Sequence, residues 1–417
     1  MELKEYKLGD IAEIVNGSTP TTTCPHYYDG DIVWITPKDL SEQKSKYIEK
    51  GERNITEAGF NSCSTHLIPK YNILLTSRAP IGLLAINKVA CCTNQGFKNL
   101  IVNKDIVDVD YLYYYLKYHI AEIEALGTGT TFKEVSKASM EKYTVSLPDL
   151  EEQKKVSRIL SALDAKISLN RQINQNLEAL ARQIYDYWFV QFDFPDANGK
   201  PYKSSGGRML YNLILKREIP EGWEVKAIKE IESNIITGKT PSTSEEDNFG
   251  GNIPFVTIDD IRKYMYIYES ERTLSEKGAD SQSSKYLPKG SLSCSCIGTA
   301  GILGFIGTLA QTNQQINSII FNKDYNRELI YFALKWHFSH ATAKMGNILP
   351  NMSKDEFSRI PIVYPQIDIL MKYHNLVKDL FCKIDNGVCT ILSLTKQRDE
   401  LLPLLMNGQV NFDLSDD

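Results

Sequence analysis

The chain has 417 residues, 42% hydrophobic and 24% charged, the balance of a folded globular protein and not of a disordered one. That length exceeds one ordinary core, so two domains of about 150 residues plus connecting helices are expected. A formal net charge of −5 excludes a polycation that coats nucleic acid by itself, so any DNA contact has to be local or shared with a partner.

The first residues, Met1-Glu2-Leu3-Lys4-Glu5-Tyr6-Lys7, lack the apolar core of a signal peptide, and no run of about 18 apolar residues occurs anywhere. A cytoplasmic protein with no membrane partner is the expectation. None of the eight cysteines falls in the paired C-x-x-C spacing of a zinc site, so reduced, mostly buried thiols and no metal are expected.

In chain order, residues 1–149 read as a mixed module. Short β-branched and aromatic runs at 32–35, 72–75, 83–86 and 100–102 lie between Gly, Pro, Asn and Asp clusters, the pattern of short strands joined by turns. Residues 110–124 carry helix-spaced Leu112, Leu116, Ile120 and Ile123. From 150 to 192, Val156, Ile159, Leu163, Ile167, Asn170, Ile173, Leu177, Leu180, Ile184 and Trp188 alternate steps of three and four, the seam of a coiled-coil helix. Residues 193–222, with Ser204-Ser205-Gly206-Gly207, read as a linker that passes from ordered to loose on its way into the second module.

Residues 223–365 repeat the first plan, with strands at 253–256, 291–293, 303–306 and 318–321 and a helix over 327–344. Residues 366–408 repeat the helix through Leu370, His374, Val377, Phe381, Ile384, Val388, Ile391, Leu394, Arg398, Leu401 and Leu405, and Asn407-Gly408 closes it. Gly387 inside this stretch costs about 1 kcal/mol of helix propensity. Residues 409–417 form a tail.

The repeat is explicit in the residues. Asn16-Gly17-Ser18-Thr19-Pro20-Thr21 returns as Thr237-Gly238-Lys239-Thr240-Pro241-Ser242, and Thr93-Asn94-Gln95 returns as Thr312-Asn313-Gln314. The offset is 221 from Gly17 to Gly238, 219 from Asn94 to Asn313 and 217 from Pro148 to Pro365, so register drifts by only four residues. The fold class expected is α+β: two similar mixed modules separated by two long helices, pseudo-two-fold symmetric. The helices then pair antiparallel, as a rod of about 38 residues and at most about 57 Å.

Catalytic spellings fail on inspection. Gly238-Lys239-Thr240 resembles the end of a phosphate-binding loop, yet the required earlier Gly is Ser233. Asp149, Glu151 and Glu152 imitate a metal-dependent nuclease, but they sit together at a helix start, where they suit the helix dipole. His337 and His340 share a helix face without a third ligand, and no G-x-S-x-G or dinucleotide loop occurs. The repeated loops are amide- and hydroxyl-rich, as are Gly127-Thr128-Gly129-Thr130-Thr131 and Gly346-Asn347. Such groups read base edges and hold phosphates; they are also ordinary turn formers. The tyrosines at 111, 113–115 and 118, and those at 264, 266 and 268, suit packing better than base stacking.

Leu147-Pro148-Asp149-Leu150-Glu151-Glu152-Gln153-Lys154-Lys155, then Ile159-Leu160 and Leu163-Asp164-Ala165-Lys166-Ile167, resembles the proline-then-helix signature of the specificity subunit of type I restriction-modification systems. Gly17 to Pro20, Trp34-Ile35-Thr36, Asn94-Gln95-Gly96-Phe97-Lys98 and Pro201-Tyr202-Lys203-Ser204-Ser205-Gly206-Gly207 are similar to that family too, in order along the whole chain. The second module departs at Asn313-Gln314-Gln315-Ile316, and Leu370 stands where Gln153 would fall.

The resemblance implies a subunit without catalysis, cofactor or metal that binds double-stranded DNA. It would read a bipartite, asymmetric target with recognition domains at 1–149 and 223–365, docking two S-adenosylmethionine-dependent adenine methyltransferase subunits on its helices. ATP-dependent restriction and translocase subunits would join them. DNA-binding positions carried over in the first module are Gly17, Ser18, Thr19, Pro20, Thr21, Thr36, Lys38, Ser77, Arg78, Asn94, Gln95, Lys98, Thr128, Gly129, Thr130 and Thr131. In the second they are Thr237, Gly238, Lys239, Thr240, Pro241, Ser242, Thr257, Arg262, Thr299, Asn313, Gln314, Asn317 and Asn347. A self-sufficient DNA-modifying enzyme and a duplicated coiled-coil scaffold with no DNA role are the other two readings.

Overall fold

The apolar runs at 73–76 and 97–102 pair because each alternates or fills both faces of a central strand, and their neighbours extend the sheet. The structure is a computed structural model describing residues 2–43, 45–78, 80–129, 133–345 and 351–409. Its chain divides into two units, residues 1–169 with 392–417 and residues 170–391.

In the first unit a five-stranded sheet runs in the order Ala12–Asn16, Phe97–Val102, Ile73–Thr76, Leu84–Asn87, Tyr47–Ile48. A three-stranded sheet runs Arg53–Ile55, Tyr28–Ile35, Cys92–Thr93, and Lys4–Lys7 pairs antiparallel with Thr144–Leu147. The second unit repeats this strand for strand. Its larger sheet is Ile235–Thr237, Ile316–Ile319, Leu292–Ser295, Leu303–Ile306, Tyr266–Ile267, its smaller one Thr273–Leu274, Phe249–Val256, Gln311–Thr312, and Glu224–Ala227 pairs with Pro361–Tyr364. Both modules are therefore α+β with one topology, as the sequence repeat requires.

Within the modules the structure departs from the sequence expectation at one helix and at strand bounds. The helix expected over 110–124 is two helices, Val109–Tyr118 and Ile120–Ala125, because the backbone of His119 leaves the helical well (φ −94°, ψ 21°) and starts the second helix. The strand expected at 318–321 is Ile316–Ile319, since Ile316 is wholly buried and carries the pairing with Ser295.

Helix Val109–Tyr118 buries Tyr111, Leu112, Tyr114 and Leu116 against Ile73, Leu75, Ile86 and Leu100. Helix Arg327–Met345 does the same with Leu329, Tyr331, Phe332 and Leu334. Tyr111, Tyr113, Tyr114 and Tyr115 are buried, and Tyr118 and Tyr266 pack against the module cores, Tyr266 stacking on Phe305 at 5.3 Å; Tyr264 caps a short helix and lies in no strand. The thiols are less buried than expected: Cys382 and Cys389 are exposed and Cys24 and Cys63 half-buried.

The long helices are Leu150–Tyr185, extended by a π-helical turn at Asp186–Val190, and Ile367–Met406, unbroken through Gly387 and closed by Gly408 at φ 66°. They pair antiparallel within each unit. In the first, Asp164 meets Arg398 at 2.8 Å; in the second, the Asn174 amide donates to the Ile384 carbonyl at 3.3 Å and the rings of Trp188 and Tyr373 lie 5.8 Å apart. The seam differs from the one read in the sequence. Ile173 and Leu180 are 44% and 45% exposed, while Asn174 and the wholly buried Ala181 take the inner positions. The cause is close approach: a Cβ on Gly387 would fall 2.2 Å from Asn174 Oδ1, so small or slender residues occupy the contact and larger neighbours turn outward.

The linker is also folded more firmly than expected. Phe194 stacks on Tyr202 and Trp223 at 4.7 and 4.8 Å, and Met209–Asn212 pairs with Arg217–Pro220 as a hairpin. No helix among the described residues is long and apolar enough to cross a membrane.

Gly387→Leu is expected to lower stability by about 1–3 kcal/mol through overpacking at Asn174, and Asn174→Ala in the same chain to restore part of the loss. Thermal denaturation of the two variants and the double variant measures this; equal midpoints for all would contradict the close approach.

Candidate nucleic-acid interface

The Gly-x-Thr-Pro turn and the Thr-Asn-Gln triplet lie about 75 residues apart in each repeat, yet they form one structure. A Cβ on Gly17 would sit 2.0 Å from the Asn94 carbonyl oxygen, and one on Gly238 would sit 2.2 Å from that of Asn313. Only glycine admits the approach. The Ser18 and Lys239 backbone amides then donate to the Thr93 and Thr312 carbonyls at 2.9 and 3.0 Å.

The side chains complete the clamp. Thr19 donates its hydroxyl to Gln95 Oε1, and Thr240 donates to Gln314 Oε1 at 2.6 Å. Both glutamines are exposed. With the oxygen held, each presents its amide NH₂ to a ligand acceptor such as a purine N7 or O6. Asn94 and Asn313 turn their Oδ1 atoms back onto the amides of Gly96 and Gln315 (2.9 and 3.1 Å), which shapes the triplet.

Residues behind the turn brace it. Trp34 Nε1 donates to the Ser18 carbonyl (3.2 Å), and the Tyr28 hydroxyl donates to that of Pro20 (2.7 Å). In the second unit Asn248 Nδ2 donates to Ser242 O (3.0 Å) and Gln282 Nε2 to Lys239 O (2.8 Å). Pro20 and Pro241 are buried; Thr21, Lys239 and Ser242 are exposed.

The other positions fall into distinct settings. Thr36 and Thr257 start short helices, each bonding a carboxylate, Asp39 at 2.6 Å and Asp260 at 2.8 Å. Exposed Lys38 pairs with Glu52 at 2.8 Å. Ser77 is buried against the Gly96 carbonyl. Thr237 donates to Asn317, which is itself buried, at 2.6 Å, and Arg262 donates to the exposed Thr299 at 2.9 Å. Thr128 and Gly129 are exposed. Thr130, Thr131 and Asn347 lie outside the described residues.

Glu134, unmarked in the sequence, gathers much of the first module's charge. Its carboxylate meets Arg78 Nε at 3.0 Å and the nearly buried Lys98 Nζ at 3.1 Å, while its backbone pairs both ways with Thr128 at 3.0 Å. Burial pulls its carboxyl upward, but the two cations outweigh that and hold it below the ordinary value of 4.5. The only sequence signal was a lone acid after the Gly-Thr-Gly-Thr-Thr segment. The helix-start acids Asp39 and Asp260 were legible as capping boxes.

Comparison with known proteins agrees with the repeat. The sequence family described as "Type I restriction modification DNA specificity domain" matches residues 1–179 and again 220–376. The chain belongs to the type I restriction-modification DNA specificity family. Among specificity subunits of this family, that of MjaIX from Methanocaldococcus jannaschii is 35% identical, the alignment covering 97% of this chain and 92% of the relative. That of HindI from Haemophilus influenzae is 31% identical, with 98% and 99% covered. The crystal structure of the S subunit of a type I restriction-modification system from M. genitalium shares the fold at a TM-score of 0.55 and 16% identity, covering 97% of this chain and 96% of that one.

In this specificity-family chain the Glu134 ion pairs predict a pH and a charge effect. Because the folded carboxyl is depressed, its contribution is present above the unfolded value and is lost as pH falls through the folded one. Glu134→Gln should therefore flatten the acid side of the stability profile. It should also free two cations, raising non-specific duplex DNA affinity and steepening its salt slope by about one unit per cation gained. Fluorescence anisotropy across a salt series reads this; an unchanged slope would place Arg78 and Lys98 away from the DNA path.

Proposed function

We propose that the chain is the sequence-reading, non-catalytic subunit of a type I restriction-modification complex. It binds a bipartite, asymmetric DNA target, one half through the loops of each module. Two methyltransferase subunits dock on its long helices, and restriction and translocase subunits join the assembly. Methylation and cleavage belong to those partners, and the working location is the cytoplasm.

The observation that carries this reading is one clamp built twice with unlike side chains upon it. Ser18 corresponds to Lys239 and Lys38 to Asp259, while Arg78 corresponds to Ile297 and Lys98 to Asn317. The frame is the same, since Gly17 and Gly238 meet the same backbone and Gln95 and Gln314 are held by the same hydroxyl. Equal frames with changed donors, acceptors and charges suit two different short sequences. In the first module the cations at 38, 78 and 98 are all engaged by carboxylates, so phosphate attraction is modest and isolated binding weak.

The test is to co-express the chain with its companion methyltransferase subunits and map methylated adenines genome-wide. Two unlike half-sites separated by an unread spacer are expected, and the purified chain alone should methylate nothing and bind DNA weakly at physiological salt. A palindromic target, or tight sequence-specific binding by the chain alone, would contradict the proposal.

A further inference from the structure

The two clamps part company one residue past the conserved glutamine. After Asn94-Gln95 the first module has Gly96; after Asn313-Gln314 the second has Gln315. The backbone at the two positions is held alike. The Gly96 carbonyl accepts the Ser77 amide at 2.7 Å, and the Gln315 carbonyl accepts the amide of Cys296, the residue matching Ser77, at 2.8 Å. The first module leaves little space for a side chain there. A Cβ on Gly96 would lie 3.0 Å from Asn94 Oδ1 and 3.1 Å from Cγ of Pro37, which opens the helix Pro37–Ser41; the matching helix Ile258–Lys263 opens with Ile258.

In the second module Gln315 extends a chain of amides. Its backbone N–H donates to Asn313 Oδ1 at 3.1 Å, and Asn313 Nδ2 donates to Gln315 Oε1 at 3.0 Å. A backbone N–H can only donate, so it fixes which end of Asn313 is oxygen, and Asn313 in turn fixes Gln315. The chain ends in Gln315 Nε2, a donor with no partner among the described residues, on a residue that is only partly buried. In the first module the same chain stops one side chain earlier. Asn94 Oδ1 accepts the Gly96 amide at 2.9 Å, and Asn94 Nδ2 is the donor left without a partner among the described residues.

We propose that Gln315 is a base-reading residue of the second half-site alone, donating from Nε2 to the major-groove edge of a guanine. Guanine offers two acceptors there, N7 and O6, whereas adenine sets its N6 donor beside N7 and cytosine offers the N4 donor. A glutamine with both ends free suits adenine; here Oε1 is already engaged by Asn313. The exposed Gln314, whose oxygen is held by Thr240, supplies a second amide donor next to it in sequence. The inference rests on the function proposed above and names one base contact within it.

The full chain is assembled with its companion methyltransferase subunits, and methylated adenines are mapped genome-wide for wild type, Gln315→Glu and Gln315→Gly. A glutamate of the same length still accepts from Asn313 and turns an acceptor outward. One position of the second half-site should therefore change from guanine to cytosine, with methylation of the original target falling about tenfold or more. Gln315→Gly, which copies the first module, should relax that same position. The first half-site should stay as it is in both. An unchanged second half-site in both variants would overturn the proposal, as would a changed first half-site. So would methylation that falls equally at every site with base preference intact, which would make Gln315 a structural residue. A wild-type complex that methylates no bipartite target would sink the functional reading itself, a failure visible before any variant is compared.

Discussion

The contact of Gly17 with the Asn94 carbonyl, and of Gly238 with that of Asn313, is the constraint on which both candidate interfaces depend. Each brings a turn from the start of a module against a triplet some 75 residues later, with three of the larger sheet's five strands between them in sequence. Strand pairing of Ala12–Asn16 with Phe97–Val102, and of Ile235–Thr237 with Ile316–Ile319, supplies the alignment. The missing Cβ lets the loops close, and the threonine-to-glutamine bond then sets which end of each amide faces a ligand. Backbone geometry thus decides side-chain chemistry at the surface.

A second constraint fixes each module to the long helices. In the first unit Lys46, 3% exposed at its side chain, bonds Asp110 at 2.6 Å and Ser161 at 2.7 Å, while Tyr114 donates to Asp164 at 2.6 Å. Asp164 in turn pairs with Arg398, so sheet, module helix and both long helices meet in one polar network. The second unit reaches the same end with other residues: Tyr331 donates to Glu178, and Tyr268 and Lys289 both engage Asp385. Buried ion pairs contribute little net stability because desolvation offsets them, but an unmatched member is costly, so such networks act on register and orientation. Burial likewise pushes the Lys117 ammonium below its ordinary value beside this network.

Much of this was legible in the sequence because periodicity and repetition are local properties. The Gly, Thr-Pro and Thr-Asn-Gln positions, most strands and the end of the second helix at Asn407-Gly408 follow from turn chemistry and apolar spacing. What was illegible depends on partners distant in sequence. Glu134 meets Lys98 only through the fold, and Ile173 yields the seam to Asn174, which lies against Gly387, while Leu180 yields it to the buried Ala181. The linker misled for a related reason: Ser204-Ser205-Gly206-Gly207 spells a loose loop, while Phe194, Tyr202 and Trp223 pack it from outside that stretch. Gln153 and Leu370 show the same effect. The first is buried and bonds the Asp108 amide and the Pro148 carbonyl, whereas the second packs into an apolar core.

The central claim is that each clamp reads its own half of the target independently. It is tested most directly by mapping methylated adenines at base resolution for complexes carrying Gln95→Ala or Gln314→Ala. The account predicts that each change relaxes base preference in one half-site and leaves the other half unchanged, with different halves affected by the two variants. Relaxation of both halves by either change, or of neither by both, would contradict it.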